Sequence, residues 1–347
     1  MKSFKIICYG CQTNGHESDR LAHMLKSLGF KEALSAEESD VLIFQTCSIR
    51  NTAAQKILTH ISQAKKIRAK KKLKQTICVI GCLSAEEKKY KEFDGVDIVL
   101  GTNQLETLVE VLCGEKPDTR FGVGHSIIIQ HGCENFCSYC IVPFVRGKEY
   151  SRTVDEIVSE FHAIKDCGKV IYLLGQNVNS YFCPQTGTNF VGLLDKICAI
   201  EGDFLINFMS SHPKDFSDEL IACIARNKKI ERNIHLPMQS GCDKILKFMN
   251  RGYTVKEYLG KIDTLRTAVP GVRITTDIIC GFPGETLDDY QETVKVFSQI
   301  KFNASFIFPY SRRTGTLADK MPEQIPDAEK RRRVTELLKI QRQNQTG

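Results

Sequence analysis

The stretch HSIIIQHGCENFCSYCIVPFVRG, His125 to Gly147, decides how the rest of the chain is read. It opens with a β-branched apolar run that has strand character and ends at Cys133. Cys137 and Cys140 follow at the spacing C-x3-C-x2-C, so three cysteines share the loop after one strand. A disulfide pairs two cysteines, and a structural zinc usually takes four ligands. Three loop thiolates suit a soft metal, or an iron–sulfur cubane in which one iron keeps an open position for a substrate or cofactor. Zinc is the competing reading, with His131 the nearest candidate for a fourth ligand.

Downstream of this strand five further runs have the same character: KVIYLLGQNV, FLINFMSSHP, NIHLPMQSG, RITTDIICGFPG and NASFIFPYS. Helical patterns follow, among them TVDEIVSEFHAIKDC, SDELIACIARN and TLDDYQETVKVFSQI, with Ser217 and Thr286 as candidate N-caps. Right-handed parallel βα units curl toward a barrel, and six leave the wall open, so the segment predicts a partial (β/α)6 barrel. Its chemistry belongs at the strand C-terminal ends, where Gln176, Asn177, Ser210 to His212, Gln239, Ser240 and Tyr310 gather. Asp277 lies inside its strand, where a polar network is as good a reading as ligand binding.

Upstream, FKIICYGC, VLIFQTC and TICVIGC are apolar runs that end in Cys11, Cys47 and Cys82, and helical patterns follow them. This alternation predicts an α/β unit with a parallel sheet, whose strand C-terminal ends share one edge. Three cysteines distant in sequence should therefore lie on that edge, whereas Cys8 and Cys78 read as small buried hydrophobes inside their strands. The Gly- and Pro-containing segment CGEKPDTRFGVG, Cys113 to Gly124, reads as a linker. The expected division is residues 1–116 for the N-terminal α/β domain and 124–347 for the barrel with a basic C-terminal helix.

The 347 residues suffice for about two domains with proper cores. No apolar run approaches a membrane span and the N-terminus lacks a secretory leader pattern, so a cytoplasmic protein without membrane association is expected. Fifteen cysteines in such a chain should be thiols, metal ligands or catalytic groups. The net charge of +7, from 48 Lys+Arg and 41 Asp+Glu, is compatible with a polyanionic partner. Two basic stretches, AKKIRAKKKLK (Ala64 to Lys74) and EKRRR (Glu329 to Arg333), read either as solvated helix faces or as RNA contacts. GFPGET is glycine-rich but lacks the Lys-Ser/Thr of a nucleotide-triphosphate loop.

The motifs YGCQTN, TCSIR, VIGC, CENFCSYCIVPFVRG, LLGQNV, SSHPKDF, HLPMQSG…ILKFMNRGYT and TTDIICGFPGET occur in this order along nearly the whole chain. In these motifs the chain resembles the radical S-adenosylmethionine (SAM) methylthiotransferase family. TCSIR, SSHPKDF and HLPMQSG resemble most the MiaB-type branch, the tRNA-2-methylthio-N6-isopentenyladenosine synthases. The resemblance implies two [4Fe–4S] clusters, with Cys133, Cys137 and Cys140 holding the one that binds SAM. Cys11, Cys47 and Cys82 match the ligands of an auxiliary cluster whose open iron carries the sulfur. It further implies two uses of SAM, as methyl donor and as source of a 5′-deoxyadenosyl radical that takes the hydrogen from adenine C2. The implied partners are a tRNA anticodon stem-loop and a reductant such as flavodoxin or ferredoxin, with a monomeric enzyme; the sulfur source stays open.

Tyr139, between two ligands, matches a family aromatic near the SAM adenine, and the bland alternative is a packing ring. Gln176, Ser210, Gln239 and Arg251 match polar family positions near SAM or substrate. Relatives acting on threonylcarbamoyl-adenosine tRNA or on a ribosomal protein aspartate remain alternatives, as does a non-catalytic iron–sulfur module that binds RNA. Two departures stand out: SRRTGT (Ser311 to Thr316) where the family typically has SPRPGT, and an end at Gly347 where the family usually continues into an all-β TRAM domain.

Overall fold

The computed structural model describes residues 2–48, 51–85, 93–118 and 122–346. Ile49 and Arg50 of the TCSIR motif, and Thr119 to Phe121 of the expected linker, lie outside the described residues.

The N-terminal sheet has five parallel strands in the order Lys31–Glu32, Ser3–Cys8, Val41–Thr46, Thr76–Gly81 and Ile98–Leu100. Val41–Thr46 is buried at every position, because helices cover both faces of a parallel sheet and its central strands must be apolar throughout. The helices Gln12–Ser27 and Leu105–Cys113 bury Leu21, Met24, Leu25, Leu105, Leu108 and Val109 against one face. The helix Asn51–Lys71 buries Ile57 and Ile61 against the other. Cys78 is buried as expected, but Cys8 is exposed at the end of its strand, where neither face covers it.

All six barrel strands form: Ser126–Ile128, Val170–Leu174, Leu205–Phe208, Asn233–His235, Arg273–Cys280 and Ala304–Pro309. They make two three-stranded parallel sheets, with further parallel pairing between Ile206 and Ile230 where the two adjoin. The helix starts follow local capping chemistry. Ser217 Oγ accepts from the Leu220 N–H at 3.2 Å, and Thr153/Glu156 and Thr286/Asp289 form reciprocal capping boxes. A short antiparallel pair, Gln130–His131 with Tyr150–Ser151, has no counterpart among the sequence expectations; it folds the cysteine loop back over the first strand.

The C-terminal helix Asp327–Thr346 packs on the last barrel strand. Arg333 is buried, pairs with Glu285 Oε2 at 2.6 Å and donates to the Glu285 carbonyl at 3.0 Å. Glu285 Oε2 also accepts from the Gly281 N–H at 2.6 Å, so one buried pair ties this helix to the turn after the fifth strand. Arg333→Ala leaves the Glu285 carboxylate buried without its cation and should cost about 3–5 kcal/mol in equilibrium denaturation. A loss below about 1 kcal/mol would show that the carboxylate finds water instead.

This packing corrects the reading of the second basic stretch. Lys330 and Arg333 point inward, with Lys330 Nζ 5.4 Å from the Tyr310 ring centroid, and are not a surface for RNA. Only Arg331 and Arg332 stay on the exposed side, and Arg332 is already paired with Glu329 and Glu336. In the first stretch Arg68 pairs with Asp97 and Lys71 with Glu37, which leaves Lys66, Lys70, Lys72 and Lys74 toward solvent.

Candidate functional site

The sheet register brings Cys47 and Cys82 level, because Thr46 pairs with Gly81 and each cysteine is the next residue. The Cys82 N–H donates to the Thr46 carbonyl at 3.2 Å. Cys11 caps the helix Gln12–Ser27 beside them. Gly81 has φ +115°, and a Cβ there would stand 2.6 Å from the Thr46 oxygen, so the approach requires glycine. Asn14 completes the frame: it accepts from Cys11 Sγ at 3.2 Å and donates to the Thr46 carbonyl at 2.6 Å. Burial pushes the Cys82 thiol up to about 12, with Cys47 and Cys11 near enough to add to the rise against Arg146.

The barrel loop is held in a similar way. Gly132, at φ +71°, has no room for a Cβ, which would meet the Lys148 carbonyl at 2.1 Å. Asn250 Nδ2 donates to the carbonyls of Asn135 and Phe136, and Ser138 hydrogen-bonds to Met249 and Phe248 through its N–H and hydroxyl. Burial pushes Cys133 up to about 11 and Cys140 up to about 12, and the neighbouring thiols add to both. With Cys133 and Cys140 raised in this way, binding a metal at them would release protons.

Cys137 has two polar neighbours. Arg251, buried, donates to Cys137 Sγ at 3.3 Å and to the Pro237 carbonyl at 3.3 Å, with Tyr253 OH at the same distance from its Nε. His212 Nδ1 accepts from the Lys214 N–H at 3.2 Å, which puts the ring proton on Nε2, 3.9 Å from the same sulfur. Burial, with Arg251 and Lys214 nearby, holds His212 neutral, its pKa lowered to about 2. Arg251, expected near SAM or substrate, thus meets Cys137. Tyr139 packs edge-on to Phe282 at 6.5 Å, beside a small core that includes Met249 and Tyr310.

The other expected residues line the strand ends. Gln176 follows the second strand, and its N–H donates to Gln130 Oε1 at 2.8 Å. Ser210 (φ +67°) and Gln239 (φ +65°) adopt the left-handed backbone region, as do Phe136 and Asn250 in and beside the cysteine loop. Each costs of order 1–3 kcal/mol, and such strain gathers at functional sites. The side chains of Gln176, Asn177, Asn179, Ser211, Gln239 and Tyr310 each carry a buried polar atom without a hydrogen-bond partner in the chain. Buried polar atoms are nearly always paired, so this group fits a polar ligand such as SAM, with its amino, carboxylate and hydroxyl groups. Asp277 belongs to an internal network instead, 3.3 Å from His235 Nε2.

Among the described residues no group of three or more His, Cys, Asp or Glu is close enough to hold a single metal ion. His131 stacks on Tyr150 at 4.8 Å and joins no such group. A cubane, which carries each thiolate on a different iron, needs a wider spacing than a mononuclear zinc.

A parallel partial barrel with this loop defines a protein of the radical SAM class. The model of the radical SAM superfamily matches residues 127–297, and that of uncharacterized protein family UPF0004 matches residues 3–101. The chain belongs to the family of tRNA-2-methylthio-N(6)-dimethylallyladenosine synthases. The relative so named from Fusobacterium nucleatum is 40% identical, covering 98% of this chain and 84% of its own length. Another from Caldicellulosiruptor saccharolyticus is 42% identical, covering 98% and 78%. Among solved structures, the radical SAM methyltransferase TsrM from Kitasatospora setae shares the fold at a TM-score of 0.66 and 13% identity, covering 92% of this chain and 77% of that one. Among the described residues no helix is long and apolar enough to cross a membrane.

Sequence patterns assign no role to Asn14, Arg146 or Asn250, although each lies inside one of the motifs quoted above. The signal for them is the motif itself: residues beside the ligands that no secondary-structure pattern requires.

Proposed function

We infer that the chain is a radical SAM tRNA methylthiotransferase that adds a methylthio group to C2 of N6-isopentenyladenosine beside the anticodon. The observation that carries this reading is the pairing of two cysteine triads across one short helix, in a chain about 40% identical to synthases of that name. Those relatives do not favour the threonylcarbamoyl-adenosine or ribosomal-aspartate alternatives, and a non-catalytic module would have no use for the unpartnered polar atoms at the strand ends.

When bound, the clusters and SAM supply the radical, the sulfur and the methyl group that the side chains cannot. The protein's part is to bind and orient. Cys133, Cys137 and Cys140 would hold the SAM-binding cluster, and Cys11, Cys47 and Cys82 the auxiliary one. Arg251 and His212 direct N–H groups at Cys137 Sγ, which orients it. Gln176, Ser210 and Gln239 would receive SAM, and Tyr139 would flank it. The substrate adenine has to be splayed out of its loop to reach this mouth, which an unpaired anticodon-loop base allows. A cytoplasmic monomer reduced by a flavodoxin- or ferredoxin-type donor completes the reading, which also divides the chain at residues 1–116 and 124–347.

Product analysis tests it. Reconstituted, reduced protein given SAM and tRNA that carries isopentenyladenosine should yield the 2-methylthio nucleoside in a digest analysed by mass spectrometry. Thiolation of threonylcarbamoyl-adenosine instead, or of neither nucleoside, would overturn it.

A further inference from the structure

The helix Val142–Arg146 begins two residues after Cys140 and spans about 7 Å at 1.5 Å per residue. Ile141 and Val145 pack on Cys82, and Thr102 Oγ1 donates to the Val145 carbonyl at 2.6 Å. The last residue, Arg146, is 4% exposed and reaches into the N-terminal sheet edge. Its Nη1 donates to Glu17 Oε1 at 2.8 Å, and its Nη2 to Asn14 Oδ1 at 3.2 Å and Glu17 Oε2 at 3.3 Å. Gln45 holds the far oxygen of Glu17 at 2.8 Å. Asn14 passes the network on to Cys11 Sγ and to the Thr46 carbonyl, which also receives the Cys82 N–H. One guanidinium therefore connects within two hydrogen bonds to Cys11 and to the residue before Cys47, and within three to Cys82.

A buried Arg–Glu pair is weak evidence for stability, since desolvation offsets most of its attraction. Its placement here points to another use. An arginine keeps its charge even when buried, and Glu17 at 2.8 Å holds the guanidinium in place, so a cation stands beside the site where three thiolates must form.

We propose that Arg146 is a positioning residue of the auxiliary site: it supplies the buried counter-charge for the thiolates of Cys11, Cys47 and Cys82, and fixes that triad against the barrel loop. The proposal rests on the reading that this triad holds an iron–sulfur cluster. Reduction adds negative charge to a cluster, so a cation a few ångströms away raises its potential and an anion lowers it.

The test uses the full chain with Cys133, Cys137 and Cys140 all changed to Ala, so that iron reports the auxiliary site alone. Arg146→Gln, Arg146→Lys and Glu17→Gln are added singly, and the midpoint potential is read by EPR at stepped reductant levels. Arg146→Gln should make reduction about tenfold harder, about 59 mV for one electron. Glu17→Gln should move the potential the opposite way, and Arg146→Lys, which keeps the charge, should stay near the parent. Unchanged potentials, or shifts of Arg146→Gln and Glu17→Gln in the same direction, would make Arg146 a mechanical tie and overturn the proposal. If Arg146→Gln loads no iron, Glu17→Gln and Arg146→Lys decide: a Glu17→Gln potential equal to the parent's overturns it. A parent without any iron–sulfur signal overturns the cluster reading itself, which is a distinguishable failure.

Discussion

Anaerobically reconstituted protein with Cys133, Cys137 and Cys140 all changed to Ala will hold about four irons per chain instead of about eight, and will release no 5′-deoxyadenosine from SAM. The loop carries no further cysteine. His131, the nearest histidine along the chain, is stacked on Tyr150. Arg251 and His212, the polar neighbours of Cys137, are donors toward it and cannot serve in its place without giving up their hydrogen bonds. The fold itself should survive, because the loop's frame comes from backbone contacts of Ser138 and from Asn250, which the substitutions leave alone. Iron and sulfide analysis, with chromatography of the nucleoside released under a strong reductant, reads the result. Zinc at this site in the parent, or SAM cleavage by the variant, would end the radical reading.

Changing Cys11, Cys47 and Cys82 to Ala should separate the two halves of the chemistry. The barrel cluster stays, so reductive release of 5′-deoxyadenosine continues, while the 2-methylthio product falls below detection. Cys47 and Cys82 are fully buried, so each Ala removes one sulfur from a packed site, a loss the five-stranded sheet can absorb. The tight turn at Gly81 and the reach of Asn14 across to Thr46 frame the triad. Methylthiolated tRNA from this variant would place the sulfur-bearing site elsewhere.

The two triads are expected from the amino-acid sequence for different reasons: Cys133, Cys137 and Cys140 share one loop at C-x3-C-x2-C spacing, whereas Cys11, Cys47 and Cys82 follow successive strands. A βα alternation with cysteines at successive strand ends puts them on one edge whatever the loop details. Helix starts are legible too, since a cap such as Ser217 or Thr286 acts within three residues. Arg251, expected near SAM or substrate, lies against Cys137. Its motif places it after the helix Asp243–Phe248, but a long side chain can turn toward a ligand or toward a sulfur, and here the Pro237 carbonyl and Tyr253 draw it to Cys137.

The sequence by itself determined the order of elements, the parallel sheets and the strand-end placement of the cysteines, because apolar period, caps and strand-end position are local properties of the chain. Only the tertiary structure decided which charges are available. Lys330 and Arg333 read as a basic run fit for RNA, yet the helix that carries them docks on the last barrel strand and turns both inward, Arg333 onto Glu285. Arg146 read as the end of a motif, yet it leaves its own barrel to meet Glu17 and Asn14, 129 and 132 residues earlier in the chain. Whether a cation is solvated, paired or aimed at a thiolate depends on which distant surface packs over it, and no pattern of neighbours along the chain encodes that.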